Sequence, residues 1–419
     1  MNIGISLYSE REALWLLGSK FLDLIINDKK NKYIIIYDYP ERISNLFIDC
    51  KNISLITHYK GNRFKRFLFW YLLYPVDLFD FLLNEDCEDQ KFRYQAALHF
   101  KKSFVSIGAF FKSVLAFNFV KKVFEYLCYQ TSYYDEFEID RFLITDYHHL
   151  KEKFVLYNQS SKEIFYFGSS IDNFSVEGPF NFKINKAFVV DEFMLAVSIK
   201  VSKFNQNQVI VTGNPLHEKI QSFAKSLKPK NSILFFANNN EISNEINIVR
   251  DLVSNKFIKK IGFNLRLSPS VGGVGAEYKK RAKSYNEILG ESNVYSVDPF
   301  WHGASLQKGT VNHEYFKQIS KHNIIIITGP SNAVYEILAS GGIVIMLFIK
   351  DINPCKLDWT LSDVRESVNH FKEFDNVYLC YSIQSVEVAI REYLNRENHM
   401  NTIISTNNSS QMIFDYIRS

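Results

Sequence analysis

The 419-residue chain is short of cysteine and proline and carries no surplus of one charge. Its five cysteines (Cys50, Cys87, Cys128, Cys355 and Cys380) form no Cys-x-x-Cys pair. That argues against a thiolate zinc site or a disulfide framework and suits a reducing cytoplasm. The 49 basic and 45 acidic side chains leave a formal charge of +4, too even a balance to indicate a nucleic-acid partner. No Gly-x-Gly-x-x-Gly follows the first strand-like segment, which disfavours a nicotinamide enzyme, and there is no Gly-Lys-Ser/Thr phosphate loop. No uninterrupted apolar run reaches the roughly 20 residues that cross a bilayer. The opening Met1-Asn-Ile-Gly-Ile-Ser6 has no basic stretch and no long apolar segment, so no signal peptide is expected. The histidines lie on no metal-ligand spacing. The acidic run Asp135, Glu136, Glu138 and Asp140 reads as a solvated loop, so neither a bound metal nor a cofactor is expected.

What the chain has in quantity is short, wholly apolar runs separated by helical sequence. Asn323 to Ile349 is the clearest case. Ile324 to Ile327 is too short for a helix and lacks polar alternation, as in a parallel strand covered on both faces. A turn, Gly329-Pro-Ser-Asn332, then leads into a helix from Ala333 to Ala339. Gly341-Gly342 ends that helix, and Ile343 to Phe348 forms the next strand. Similar strands are expected at Ile3–Leu7, Tyr33–Tyr37, Ile53–Thr57, Arg141–Thr145, Ile164–Phe167, Ala187–Val190 and Val209–Thr212. A second series is expected at Ile233–Phe236, Gly262–Leu267, Val294–Val297 and Asn376–Cys380. The rhythm is α/β and doubly wound.

The length favours two domains. An N-terminal Rossmann-like domain is placed at 1–212, with a helical insertion at about 63–130, and a hinge at 213–231 around Gly213-Asn-Pro215. A C-terminal Rossmann-like domain follows at 232–400, and the last segment, 401–419, folds back as a helix. The insertion is rich in Phe, Leu and Tyr, with lysines between them. Two readings stand: core helices whose lysines snorkel to water, or an interfacial surface resting on an anionic inner membrane.

Three polar loops end strands, where open α/β sheets take their ligands. Gly329, Ser331, Asn332 and Glu336 would bind donor phosphates and sugar or ribose hydroxyls, against a plain capped helix as the simpler reading. Arg266, with Ser268 and Pro269 after it, would pair with a diphosphate or carboxylate, or is a surface arginine beside a turn. Asn238, at the end of Ile233–Phe236, joins the donor set. Asp172 and Glu177 are candidates for general base or nucleophile, although an Asx-turn also explains Asp172-Asn173.

The runs Ser170-Ile-Asp-Asn-Phe-Ser-Val-Glu-Gly-Pro179, Lys186-Ala-Phe-Val-Val-Asp-Glu-Phe-Met194 and Val209-Ile-Val-Thr-Gly-Asn-Pro215 resemble bacterial GT-B glycosyltransferases of surface polysaccharide assembly. The related CDP-glycerol transferases and the sialyl- and Kdo-type transferases share this likeness. Leu265-Arg-Leu-Ser-Pro269 and Ser331-Asn-Ala-Val-Tyr-Glu336 are similar to two nucleotide-binding motifs of that group. The resemblance spans Phe142 to Phe348. It implies two Rossmann-like domains facing across a cleft and metal-independent transfer from a nucleotide-sugar donor to a capsule or O-antigen glycan, free or lipid-linked. The cysteine usage suits a cytoplasmic enzyme, with peripheral contact at the inner membrane through the 63–130 region as one option. Where relatives carry His-Pro this chain has Ser268-Pro269, and serine supplies no positive charge. Alternatives are a CMP-nonulosonate transferase, a polyol-phosphate transferase, or a non-catalytic assembly protein on the same fold.

Overall fold

The computed structural model describes residues 1–8, 10–74, 118–145, 150–158, 163–168, 183–200, 202, 204–237, 242–267, 276–295, 313–329, 331–348, 365–396 and 408–419. The chain divides into two compact units. One runs from Met1 to Pro215 and takes in the C-terminal helix; the other begins at Leu216.

The first unit is built on a parallel sheet of seven strands: β1 (Asn2–Leu7), β2 (Lys32–Tyr37), β3 (Ile53–Ile56), β4 (Arg141–Ile144), β5 (Glu163–Gly168), β6 (Lys186–Val189) and β7 (Val209–Val211). Their spatial order is β3-β2-β1-β4-β5-β6-β7, so the winding reverses between β1 and β4. Such a reversal opens a crevice at the carboxyl ends of the strands. β1 and β2 are buried at nearly every position, as continuous apolar runs between two helical layers require. Gly4 pairs in register with Phe142 of β4, and a Cβ at Gly4 would stand 2.8 Å from the Phe142 ring, so this close approach needs glycine. On one side of the sheet Ser19 ends one helical turn and caps the next helix, Lys20–Asn27, by accepting from the Phe21 amide.

The C-terminal helix, Ser409–Arg418, folds back onto this first unit. Phe414 meets Phe21 edge to face at 6.5 Å, Tyr416 reaches the Phe188 ring, and Arg141 donates to the Ile417 carbonyl. Ile413, Phe414 and Ile417 are buried by the contact.

The second unit holds six parallel strands: β8 (Lys230–Phe236), β9 (Phe263–Arg266), β10 (Val294–Tyr295), β11 (His322–Ile327), β12 (Ile343–Leu347) and β13 (Val377–Cys380). Their order, β10-β9-β8-β11-β12-β13, repeats the reversal, now between β8 and β11. The expected β-α-β unit is present as β11, the helix Ala333–Ala339 and β12. Gly341 has φ +83°, and the Gly341 and Gly342 amides donate to Leu338 and Ile337, closing the helix as a left-handed cap. The segment 213–231 contains the helix Pro215–Ala224.

Both units have the α/β, Rossmann-like architecture of the GT-B fold class. Truncating Phe414 tests the C-terminal anchor. Phe414→Ala is expected to lower the stability of the first unit by about 3 kcal/mol. Urea unfolding followed by hydrogen exchange would show β1 and β4 losing protection while β8 and β11 keep theirs.

Candidate functional site

In the second unit, β9 ends on Arg266 and β8 on Phe236, at the carboxyl edge of the sheet beside the winding reversal. Arg266 is only 5% exposed, so the surface-arginine reading does not hold. Its guanidinium carbon lies 4.7 Å from the centre of the Tyr315 ring and 5.5 Å from that of Phe236. Its Nε is buried without a hydrogen-bond partner, and among the described residues no carboxylate pairs with it. Aromatic faces hold the cation in place but do not neutralise it. A largely buried charge of this kind gains when an anion reaches it.

Tyr315, on the helix His313–Lys321, donates its hydroxyl to Glu336 Oε2, and Glu336 lies in the first turn of the helix Ala333–Ala339. The tyrosine therefore links Arg266, through its ring, to Glu336, through its hydroxyl. Asn332 is buried at the N-cap and makes no side-chain cap bond, whereas the exposed Ser331 accepts from the Ala333 amide at 3.2 Å. Gly329, with φ +80°, turns the chain out of β11. The helix is only two turns long, so the guanidinium rather than the helix dipole supplies most of the positive potential here. The structure thus gathers Arg266, Gly329, Asn332 and Glu336 at one sheet edge. Asn238, Ser268 and Pro269 lie outside the described residues, as do Asp172 and Glu177. Tyr315 was not among the expected residues, and no motif in its surroundings marks it.

The first unit has a polar cluster that the sequence reading missed altogether. Ser6 of β1, Asp38 after β2, His58 after β3 and Glu152 of the helix Leu150–Asn158 meet at the carboxyl edge of the sheet. His58 Nδ1 is 3.2 Å from Asp38 Oδ1, and Nε2 is 2.9 Å from Ser6 Oγ and 3.2 Å from Glu152 Oε1. Ser6 donates to Glu152 Oε1 at 3.1 Å, which leaves its oxygen free to accept from the imidazole. Lys151 closes the outer side by pairing with Asp38. His58 and Glu152 are fully buried, and Glu152 Oε2 has no hydrogen-bond partner.

The charges decide what the cluster can do. Burial acts to lower the His58 pKa, but the Glu152 charge and the bonds to Asp38 and Glu152 outweigh it, and the pKa is raised. Burial acts to raise the Asp38 pKa, but hydrogen bonds and charge from His58 and Lys151 hold it down at about 2. His58 is thus biased toward its charged form with both nitrogens committed, and Asp38 is too weak a base to take a proton from a hydroxyl near neutral pH. As built, the cluster accepts hydrogen bonds and fixes charge. A contrasting case is His322 at the start of β11, away from the carboxyl edge. Its nitrogens meet Ser232 and Tyr295, and burial lowers its pKa to about 4, so it stays neutral.

The pH dependence of stability follows with opposite signs for the two groups. Asp38 titrates lower when folded, so its contribution is complete above about pH 4 and fades as the pH falls toward 2. His58 titrates higher when folded, so its contribution is complete below about pH 6.5 and fades as the pH rises through the raised value. Asp38→Asn is therefore expected to lower the urea midpoint at pH 7, with the deficit shrinking as the pH falls below about 4 and vanishing near 2. Midpoints across the acid range, compared with the unaltered protein, measure this.

No family model and no curated protein matches the chain. Solved structures do. A UDP-GlcNAc 2-epimerase from Neisseria meningitidis, bound to UDP-GlcNAc, aligns over 99% of both chains with a TM-score of 0.55 and 12% identity. A UDP-N-acetylglucosamine 2-epimerase described from Listeria monocytogenes aligns over 100% of this chain and 96% of its own, with a TM-score of 0.54 and 12% identity. A glycosyltransferase from Rickettsia africae aligns over 100% and 98% with a TM-score of 0.48 and 8% identity. At these identities the likeness to the two epimerases establishes the two-unit α/β fold alone, which is that of GT-B proteins.

Proposed function

We propose that the chain is a glycosyltransferase that takes a nucleotide-sugar donor in its second unit and passes the sugar to a cell-surface glycan, free or lipid-linked. The observation that carries this reading is Arg266, buried at the carboxyl edge of the sheet without a counter-charge among the described residues. A donor diphosphate is the anion that fits it. The planar guanidinium can bind two phosphate oxygens at once and take up the charge that develops on the leaving group. Glu336, oriented by Tyr315, would accept from ribose or sugar hydroxyls, with Asn332 and Ser331 beside it. Ser268 and Pro269 belong to the same proposed donor set through the motif resemblance, and Asn238 through its place in sequence after β8. Since His58 has no uncommitted nitrogen and Asp38 is a weak base, the acceptor proton is assigned to Asp172 or Glu177. With Arg266 in place of a cation at the diphosphate, transfer is expected to persist in EDTA.

The 2-epimerases that share the fold supply a second reading, because a phosphate anchor does not dictate what happens at the sugar. The two readings differ in product. Nucleotide sugars incubated without an acceptor would be isomerised by an epimerase and left unchanged, or slowly hydrolysed, by a transferase. CDP-linked polyols or CMP-linked acidic sugars would point to the related transferases instead.

The test is a thermal-shift panel of CMP, CDP, UDP and GDP followed by a transfer assay with the stabilising nucleotide's sugars. One nucleotide is expected to raise the melting temperature by several degrees at about 100 times its Kd, equivalent to about 2.7 kcal/mol. Tyr315→Phe would weaken that response by removing the hydroxyl that orients Glu336. A flat panel, or a nucleotide bound without transfer or isomerisation, would sink the enzymatic reading and leave a non-catalytic protein on this fold.

A further inference from the structure

The first unit also carries an outward-facing aromatic surface that its core does not use. The helix Arg63–Leu68 runs on into a π-turn at Phe69–Leu73 and lies beside the helix Asn118–Tyr129. Their inner faces are conventional. Leu68, Phe69, Leu73, Cys128 and Tyr129 are buried, and Cys128 donates to the Lys65 carbonyl at 3.2 Å. The outer faces are the anomaly.

Phe64, Phe67 and Tyr71 recur at helical spacing on the first segment, and Phe119, Val123 and Tyr126 recur on the second. Spacing of this kind normally marks the stripe a helix buries. Here the stripe faces out: Phe119 is 77% exposed, Phe64 58%, and the others between 39% and 56%. Trp70 is exposed as well, between Phe69 and Tyr74. Among the described residues these two segments hold most of the exposed large apolar side chains, so the exposure is local. Scattered single exposures would need no explanation, but exposed aromatics recurring at helical spacing on two neighbouring segments do.

The charge around the stripe identifies what it fits. The two segments carry five basic side chains, Arg63, Lys65, Arg66, Lys121 and Lys122, against one acidic residue, Glu125, which is paired with Lys121. The rest of the chain is close to neutral, because the whole molecule is only +4. Arg63, Arg66 and Lys122 are exposed beside the aromatics. A protein partner would ask for a matched surface of its own. A flat, negatively charged, amphipathic phase asks for aromatics that can enter the headgroup boundary and cations that meet phosphates. Trp and Tyr suit that boundary because each has an apolar body and a polar tip. Among the described residues no helix is long and apolar enough to cross a membrane, so the contact is one of lying on the surface.

We propose that this face docks on an anionic lipid surface. Trp70 and the Phe64–Phe119 stripe would sit at the headgroup level, with Arg63, Arg66 and Lys122 over lipid phosphates. The proposal does not depend on the transferase reading, since it concerns only the first unit and needs no donor.

The test is flotation of the full chain with vesicles of phosphatidylcholine alone and of phosphatidylcholine with phosphatidylglycerol. The protein is expected to float with the anionic vesicles only and to be released as salt is raised. Trp70→Ser together with Phe119→Ser is expected to reduce binding at least about tenfold. Arg63→Gln, Arg66→Gln and Lys122→Gln together are expected to abolish the preference for phosphatidylglycerol. Unchanged circular dichroism and an unchanged nucleotide thermal shift in both variants would show that the fold and the donor site are intact. No flotation, equal flotation with both vesicle types, or a dimer in size-exclusion chromatography that the Trp70→Ser, Phe119→Ser variant dissolves would overturn the proposal.

Discussion

A parallel sheet covered on both faces leaves polar chemistry only one convenient place, the edge where its strands end. In this protein that constraint operates twice. β1, β2, β11 and β12 are apolar almost throughout because helices cover them on both sides. Their charged and hydrogen-bonding neighbours gather at the carboxyl edge beside each winding reversal. In the first unit the result is a neutralised network, in which His58 is balanced by Asp38 and Glu152, and Asp38 in turn by Lys151. In the second unit the result is an unbalanced cation. Arg266 has aromatic walls and no counter-charge among the described residues. On the proposed reading the first edge holds structure and the second binds ligand, because an anion supplied from outside would stabilise only the second.

How far these features were legible depends on whether their signal is local. Ile324 to Ile327 could be read as a buried strand because four β-branched residues without polar alternation leave few alternatives. Gly341 marked the helix end because a left-handed cap is an inexpensive conformation for glycine. Arg266 was visible at a strand end, but its burial was not, since that depends on Phe236 and on Tyr315 from a helix far along the chain. The cluster around His58 gave no signal. Ser6, Asp38, His58 and Glu152 come from four separate strand-end or helix positions, and only the parallel order of β1 to β4 brings them together. The helix Leu150–Asn158 was missed for a related reason. It buries Glu152 and Lys153 along with Phe154, Val155 and Leu156, so it shows no amphipathic period.

The aromatic stripe on Arg63–Leu68 and Asn118–Tyr129 shows the reverse difficulty. The wealth of Phe, Leu and Tyr was plain in the sequence, but composition does not tell whether those side chains meet a core or the outside. Exposure of Phe64, Phe67 and Phe119 resolves that ambiguity for these two segments. Lys65 donates to the Gln130 carbonyl, whereas the head of Lys122 is exposed.

The account turns on Arg266 being a charge that waits for phosphate, and one pair of measurements on Arg266→Gln tests it. In calorimetry the stabilising nucleoside diphosphate is expected to bind the variant at least about 30-fold more weakly, since losing one partner of a desolvated charge pair costs about 2–5 kcal/mol. In urea unfolding without nucleotide the variant is expected to be as stable as the unaltered protein or more so, because an uncompensated buried charge has been removed. Unchanged affinity together with a loss of stability would contradict the account and make Arg266 a packing residue.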